Sequence, residues 1–129
     1  MKKEIRLVPG VKEPDSPFNH VVKAGSVLYL TSQVSCDLAT GEIISGDIET
    51  QTRNALENIK HLLDGTNSSM RNIVKIVIYM RDVSQFEEMN RIYRRYFKEG
   101  EEPARVTVQA ASPIGGIDIE IEATALTNE

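Results

Sequence analysis

Ile117-Asp118-Ile119-Glu120-Ile121-Glu122-Ala123-Thr124-Ala125-Leu126 alternates apolar and polar side chains with a period of two. Successive strand side chains point to opposite faces. Ile117, Ile119, Ile121, Ala123 and Ala125 therefore share one face, and Asp118, Glu120, Glu122 and Thr124 share the other. Residues 105–110 repeat the pattern, with Val106, Val108 and Ala110 on one face and Arg105, Thr107 and Gln109 on the other. Pairing the two strands as a hairpin across Ala111 to Gly116 would set Ala110 against Ile117, Thr107 opposite Glu120 and Arg105 opposite Glu122.

Upstream, residues 73–81 are β-branched and alternate. Val74, Ile76, Ile78 and Met80 point one way, and Lys75, Val77, Tyr79 and Arg81 the other. Between this strand and Arg105 lies a helix, expected from a Ser84 cap to about Lys98 and ended by Gly100. Its apolar stripe is Phe86, Met89, Tyr93, Tyr96 and Phe97, read as core packing. A second helix spans residues 47–64: Ile48, Thr52, Ala55, Leu56, Ile59, Leu62 and Leu63 recur at helical spacing. Asp47 can cap its start and Gly65 its end. The first quarter reads as strands over residues 4–8, 20–24 and 27–31, the last two joined at Gly25-Ser26. Pro9-Gly10, Pro14 to Pro17 and Thr40-Gly41 mark loops and turns. The expected fold is α+β: a single six-stranded mixed sheet with two helices on one face.

Composition agrees with one globular domain over residues 1–129, with 40% hydrophobic and 26% charged residues. No apolar run is long enough to span a bilayer, and Met1-Lys2-Lys3-Glu4 leads straight into a strand, so the expected location is cytoplasmic. The one cysteine, Cys36, has no disulfide partner or zinc spacing, and His20 and His61 lie in different elements. Neither a metal site nor a cofactor is expected. A formal charge of −4 argues against nucleic acid as a partner, and Arg91, Arg94 and Arg95 share their helix with Glu87, Glu88 and Glu99.

Two helices cover one side of the sheet. The expected open side carries Tyr29, Thr31, Val77, Tyr79, Arg105, Thr107, Glu120 and Glu122. Such a mixture of apolar and ionisable residues is what a subunit interface with clefts looks like, so the pattern predicts a homo-oligomer. Arg105 offers a planar fork suited to a carboxylate. Glu120, partly desolvated, can orient a water or act as a general base, with Thr107 between them. A cross-strand ion pair of Arg105 with Glu120 or Glu122 is the plainer reading of the same arrangement. No Ser or Cys stands ready to partner either histidine in a nucleophile triad, and Gly115-Gly116 alone makes no phosphate loop.

Pro103-Ala104-Arg105-Val106-Thr107-Val108, followed by Ile119-Glu120-Ile121-Glu122-Ala123, resembles the signature of the RidA (YjgF) family. The resemblance covers nearly the whole chain. It includes Thr40-Gly41-Glu42, Gln51 with Asn54 through Asn58, Val74-Lys75 with Tyr79 to Asp82, and Asn90-Arg91-Ile92-Tyr93. It implies a chorismate-mutase-like fold, a homotrimer with clefts between subunits, and cofactor-free hydrolysis of 2-imino or enamine acids. The products would be 2-oxo acids and ammonia. On this resemblance Arg105 is the carboxylate anchor and Glu120 positions the water. The Thr107 backbone faces the imine nitrogen or that water. Asn90 lies near the cleft, although a helix-surface amide is an equal reading of it.

Three departures bear on activity. Phe18 in Ser16-Pro17-Phe18 stands where the family has a tyrosine, Ser32 in Thr31-Ser32-Gln33 where it has glycine, and Thr107 where cysteine is common. Phe18 and Ser32 are accordingly counted with Arg105 and Asn90 as substrate-binding positions. A trimer that only binds small carboxylates is the main alternative. A ribonuclease or translation-initiation inhibitor, also attached to this family, fits poorly with the acidic balance and the absence of tryptophan.

Overall fold

A computed structural model describes residues 2–129; Met1, the first residue of the opening segment, lies outside them. The strands are β1 (Lys3–Arg6), β2 (Val21–Ala24), β3 (Val27–Leu30), β4 (Ile73–Met80), β5 (Ala104–Gln109) and β6 (Ile119–Leu126). The helices are α1 (Ile48–Asp64) and α2 (Phe86–Tyr93). The six strands form one mixed sheet in the order β1-β2-β3-β6-β4-β5. All pairs are antiparallel except β4 with β5. This is the α+β architecture the sequence predicts.

Local chemistry sets the element ends. Gly25, at φ 61°, opens a two-residue turn that pairs Ala24 with Val27, as the Gly25-Ser26 signal implies. Asp47 accepts a hydrogen bond from the Thr50 N–H at 2.8 Å and caps α1, and Gly65 closes it. Leu56, Ile59, Leu62 and Leu63 of α1 are fully buried against the sheet residues Leu28, Ile76, Ile78, Ile121 and Ala123. Burying each such side chain contributes about 1.5–3 kcal/mol, so packing rather than helix propensity holds α1 in place.

Three sequence readings need correction. The last two strands do not form a hairpin. β6 inserts between β3 and β4, and β5 lies beyond β4, parallel to it at the sheet edge. Thr107 therefore faces Ile78 rather than Glu120, and Arg105 faces Ile76 rather than Glu122. The physical reason is the β4-α2-β5 crossover, which a helix between two neighbouring strands makes parallel.

Second, Val74 does not point inward. The register slips between Ile73 and Lys75, so an extra residue bulges there, leaving Val74 exposed and turning Ile73 into the core. Third, Ser84 does not cap a helix reaching Lys98. The Asp82 carboxylate accepts from the Ser84 N–H at 2.9 Å and starts a 3₁₀ turn over Val83–Gln85. The α-helical part is only Phe86–Tyr93, followed by a second 3₁₀ turn over Arg94–Tyr96.

Candidate functional site

Strand parity, applied to the observed pairing, separates residues that the sequence reading placed together. Arg105 and Thr107 align with Ile76 and Ile78, whose side chains are buried in the core beneath the helices. They lie on the helix-covered side, not on the open one. Val106 and Val108 align with Val77 and Tyr79, and those align with Glu122 and Glu120. The open face thus carries Tyr29, Val77, Tyr79, Val106, Val108, Glu120 and Glu122. Arg105 forms no ion pair with Glu120 or Glu122 among the described residues.

What surrounds Arg105 instead is α2. Phe86, Asn90 and Tyr93 stand at i, i+4 and i+7 and so share one helix face. The Arg105 Nη1 donates to Asn90 Oδ1 at 2.7 Å. Its guanidinium carbon lies 4.6 Å from the Tyr93 ring centroid and 5.4 Å from that of Phe86. Each such contact is worth about 0.5–2 kcal/mol, and together they fix the plane of the fork. The Tyr93 hydroxyl is buried without a partner among the described residues, as is the Thr107 Oγ1. Burial pushes the Tyr93 phenol up to about 12 despite the opposing pull of the Arg105 charge. Phe86 and Tyr93, read from sequence as core packing only, are therefore also the seat of the arginine. The signal for that seat was the parallel crossover, which brings α2 over β5.

Glu120 belongs to a second cluster. The Ser32 hydroxyl donates to Glu120 Oε1 at 2.6 Å. Gln33 brings the two residues together, because its backbone exchanges hydrogen bonds of 2.7 and 3.0 Å with Ile121. The Gln33 amide also donates to the Thr31 carbonyl at 3.3 Å and lies 3.4 Å from His20 Nδ1. Burial lowers the His20 pKa from its ordinary 6.5. Phe18 meets His20 edge-on at 6.3 Å.

Helix α1 fixes the same loop from beneath: Asn58 donates to the Val34 and Cys36 carbonyls at 3.0 and 2.9 Å, and Asn54 to Ser35 Oγ at 2.9 Å. Phe18, His20, Ser32 and Glu120 line one pocket of 480 Å³. A second, of 280 Å³, touches the same Ser32–Glu120 pair and adds Tyr79 and Glu122, which are joined by a 2.9 Å hydrogen bond from the tyrosine hydroxyl.

Of the six residues singled out from sequence, the structure brings Arg105 to Asn90, and Phe18 to Ser32 and Glu120. It leaves Thr107 on the Arg105 side of the sheet, away from Glu120. The roles of Gln33, Asn54 and Asn58 were not legible from residue type, since an amide serves equally on a surface. Among the described residues no group of three or more His, Cys, Asp or Glu side chains could hold a metal ion. No helix among them is long and apolar enough to cross a membrane.

A mixed sheet with two helices, an arginine seated on aromatic rings and a carboxylate at the junction of two pockets define an α+β domain with small-molecule-sized recesses. The family model described as endoribonuclease L-PSP matches residues 11–127. The chain belongs to this family, the RidA (YjgF) family. It is 39% identical over 123 residues to a RutC family protein of Pyrococcus horikoshii, covering 95% of this chain and 97% of that one. It is 31% identical over 123 residues to the human 2-iminobutanoate/2-iminopropanoate deaminase, covering 94% and 89%. The solved structure of a conserved Rid family protein from Yersinia pestis superposes with a TM-score of 0.90 at 29% identity, covering 98% and 100%.

Proposed function

We propose that the protein hydrolyses 2-imino acids to 2-oxo acids and ammonia, in clefts that two copies of the chain build together. The observation that carries this reading is the separation of the arginine and the carboxylate. Arg105 lies on the helix side of edge strand β5, and Glu120 on the open side of β6. One small ligand cannot bridge them within one chain. The exposed Val106 and Val108 beside Tyr79 offer the open face an apolar surface to bury against a neighbour. A homotrimer, as the family resemblance implies, would set the Arg105 edge of one subunit against the Glu120 face of the next.

In this cleft Arg105, oriented by Asn90 and Tyr93, holds the substrate carboxylate in a bidentate contact. Ser32 occupies one oxygen of Glu120 and orients the other toward a water. The water oxygen adds to the imine carbon while Glu120 takes its proton and the C=N pair moves to nitrogen. Return of that proton to nitrogen gives a carbinolamine. Glu120 then takes its hydroxyl proton and passes it to the amino nitrogen, so the C–N bond breaks, ammonia leaves and the carbonyl forms. The Thr107 backbone, on a strand with one free edge, would accept from the imine N–H. Imine hydrolysis proceeds unaided in water, so positioning and proton transfer suffice and no cofactor is required. The deaminase name of the human relative supports the same chemistry.

The test is ammonia release from 2-iminopropanoate generated in situ, with Arg105→Ala as control; equal rates with and without protein sink the proposal. The Ser32 hydroxyl on Glu120 also favours a second reading, in which the cleft binds a carboxylate without turnover. Saturable binding of 2-oxobutanoate with no imine hydrolysis would select it.

A further inference from the structure

The 480 Å³ pocket beside Glu120 is much larger than a three-carbon imino acid requires. Sites of about 300–1,000 Å³ take ligands many times that size. Its wall includes Phe18, Val34, Leu38, Ile43, Pro113 and Ile114. Three of these large apolar side chains remain open to water: Phe18 is 49% exposed, Ile43 39% and Ile114 38%. A ligand group covering them would gain the free energy of removing apolar surface from water.

Charge narrows the class of that group. Glu13, Asp15, Asp37 and Glu120 line the pocket, and its one ammonium, Lys12, is engaged with Asp15 at 3.0 Å. His20 contributes no fixed cation: its Nδ1 faces the Gln33 amide donor at 3.4 Å, and burial favours its neutral form. An acidic side chain would meet uncompensated carboxylates. A basic one would meet Glu13, Asp15 and Asp37, which are exposed, so that ion pairs there gain little, while the half-buried Glu120 is engaged by Ser32 and by the reacting water.

We propose that this pocket selects imino acids with branched or aromatic apolar side chains, and that Phe18, Ile43 and Ile114 determine the selectivity. The inference rests on the deaminase reading and names its substrate class. The reacting carbon sits at Glu120, where the two pockets meet. The carboxylate extends toward Arg105 of the neighbouring copy, and the substrate side chain enters the larger, apolar pocket.

The test compares imines generated in situ by an amino-acid oxidase from leucine, phenylalanine, alanine, glutamate and lysine, with titration of the matching 2-oxo acids. Hydrolysis of the leucine- and phenylalanine-derived imines is expected at a kcat/KM at least about tenfold above the alanine-derived one, since each well-buried methylene discriminates by about 10- to 200-fold. Ile114→Ser combined with Ile43→Ser is expected to remove most of that preference. Ile114→Phe, which narrows the pocket, should shift it toward alanine.

Equal rates across side chains, or a preference for the glutamate or lysine product, would overturn the selectivity. If Arg105→Ala still abolished turnover in that case, the deaminase reading would stand alone. Absence of all turnover, with 4-methyl-2-oxopentanoate and phenylpyruvate binding more tightly than pyruvate, would sink the deaminase reading and keep the selectivity. No turnover and no binding would sink both.

Discussion

Mixing two inactive variants, Arg105→Ala and Glu120→Gln, should restore activity. The geometry gives the reason. Strand β4 lies between β5 and β6, so the strands bearing the two residues are two spacings apart, about 10 Å. Arg105 aligns with Ile76 and Glu120 with Tyr79, three residues further along β4, which adds about 10 Å along the strand. The Cα atoms are thus on the order of 14 Å apart, and the side chains leave on opposite faces.

If each site takes its arginine from one copy and its carboxylate from another, random reassembly of an equal mixture leaves about a quarter of the sites with both groups intact, whatever the closed symmetry. Each variant alone should fall by about 10²-fold or more, since truncating one partner of a buried charge-assisted contact costs about 2–5 kcal/mol. The assay denatures the variants together in urea, refolds them, and measures ammonia release per chain. The stoichiometry of 2-oxobutanoate binding serves as a second readout. Each variant refolded alone is the control. A mixture no more active than its components would refute the shared cleft.

Three further outcomes test its parts. Tyr93→Leu removes the ring under Arg105 and should weaken 2-oxobutanoate binding roughly 2- to 30-fold, the range of one cation–π contact, with kcat little changed; unchanged binding by calorimetry would show that the ring does not seat the arginine. Gln51→Ala strips the Asp118 N–H, the Asp118 carboxylate and the Gly46 carbonyl of a buried partner and should cost about 2–4 kcal/mol in urea unfolding. A loss below about 0.5 kcal/mol would count against that network. His20 has a folded pKa below 6.5 because burial disfavours its charged form, so its contribution to stability is full above pH 6.5 and is lost as the pH falls through the folded value. The urea midpoint should drop between pH 7.5 and 5.5, and His20→Asn should flatten that part of the drop.

Element type was legible in the sequence because each element has a clean period. The alternation of residues 117–126, the helical spacing of Ile48 to Leu63 and the Gly25-Ser26 turn all correspond to observed elements. Strand order was not, because period two says which side chains share a face but not which strand lies alongside. Residues 111–116 are short enough for a hairpin, and only the rule for a strand, a helix and a parallel strand argues otherwise. The bulge at Val74 was hidden for a related reason: Ile73 and Val74 are both β-branched and apolar, and either could have turned inward.

The candidate site shows what a face assignment is worth. With Val106 and Val108 taken as the core side of β5, Arg105 and Thr107 fall on the open side beside Glu120. In the structure the two valines are the exposed side, and Arg105 turns under the helices to meet Asn90 and Tyr93. Residue type misleads at an edge strand whose outer side is itself apolar, because hydrophobicity then marks two surfaces and only one of them is the core. The same inversion makes a second copy necessary to the proposed chemistry. A chain that keeps its arginine on one side and its carboxylate on the other can join them at one substrate only by lending each to a neighbour. The apolar side of β5, next to both groups, is the surface on which that neighbour would sit.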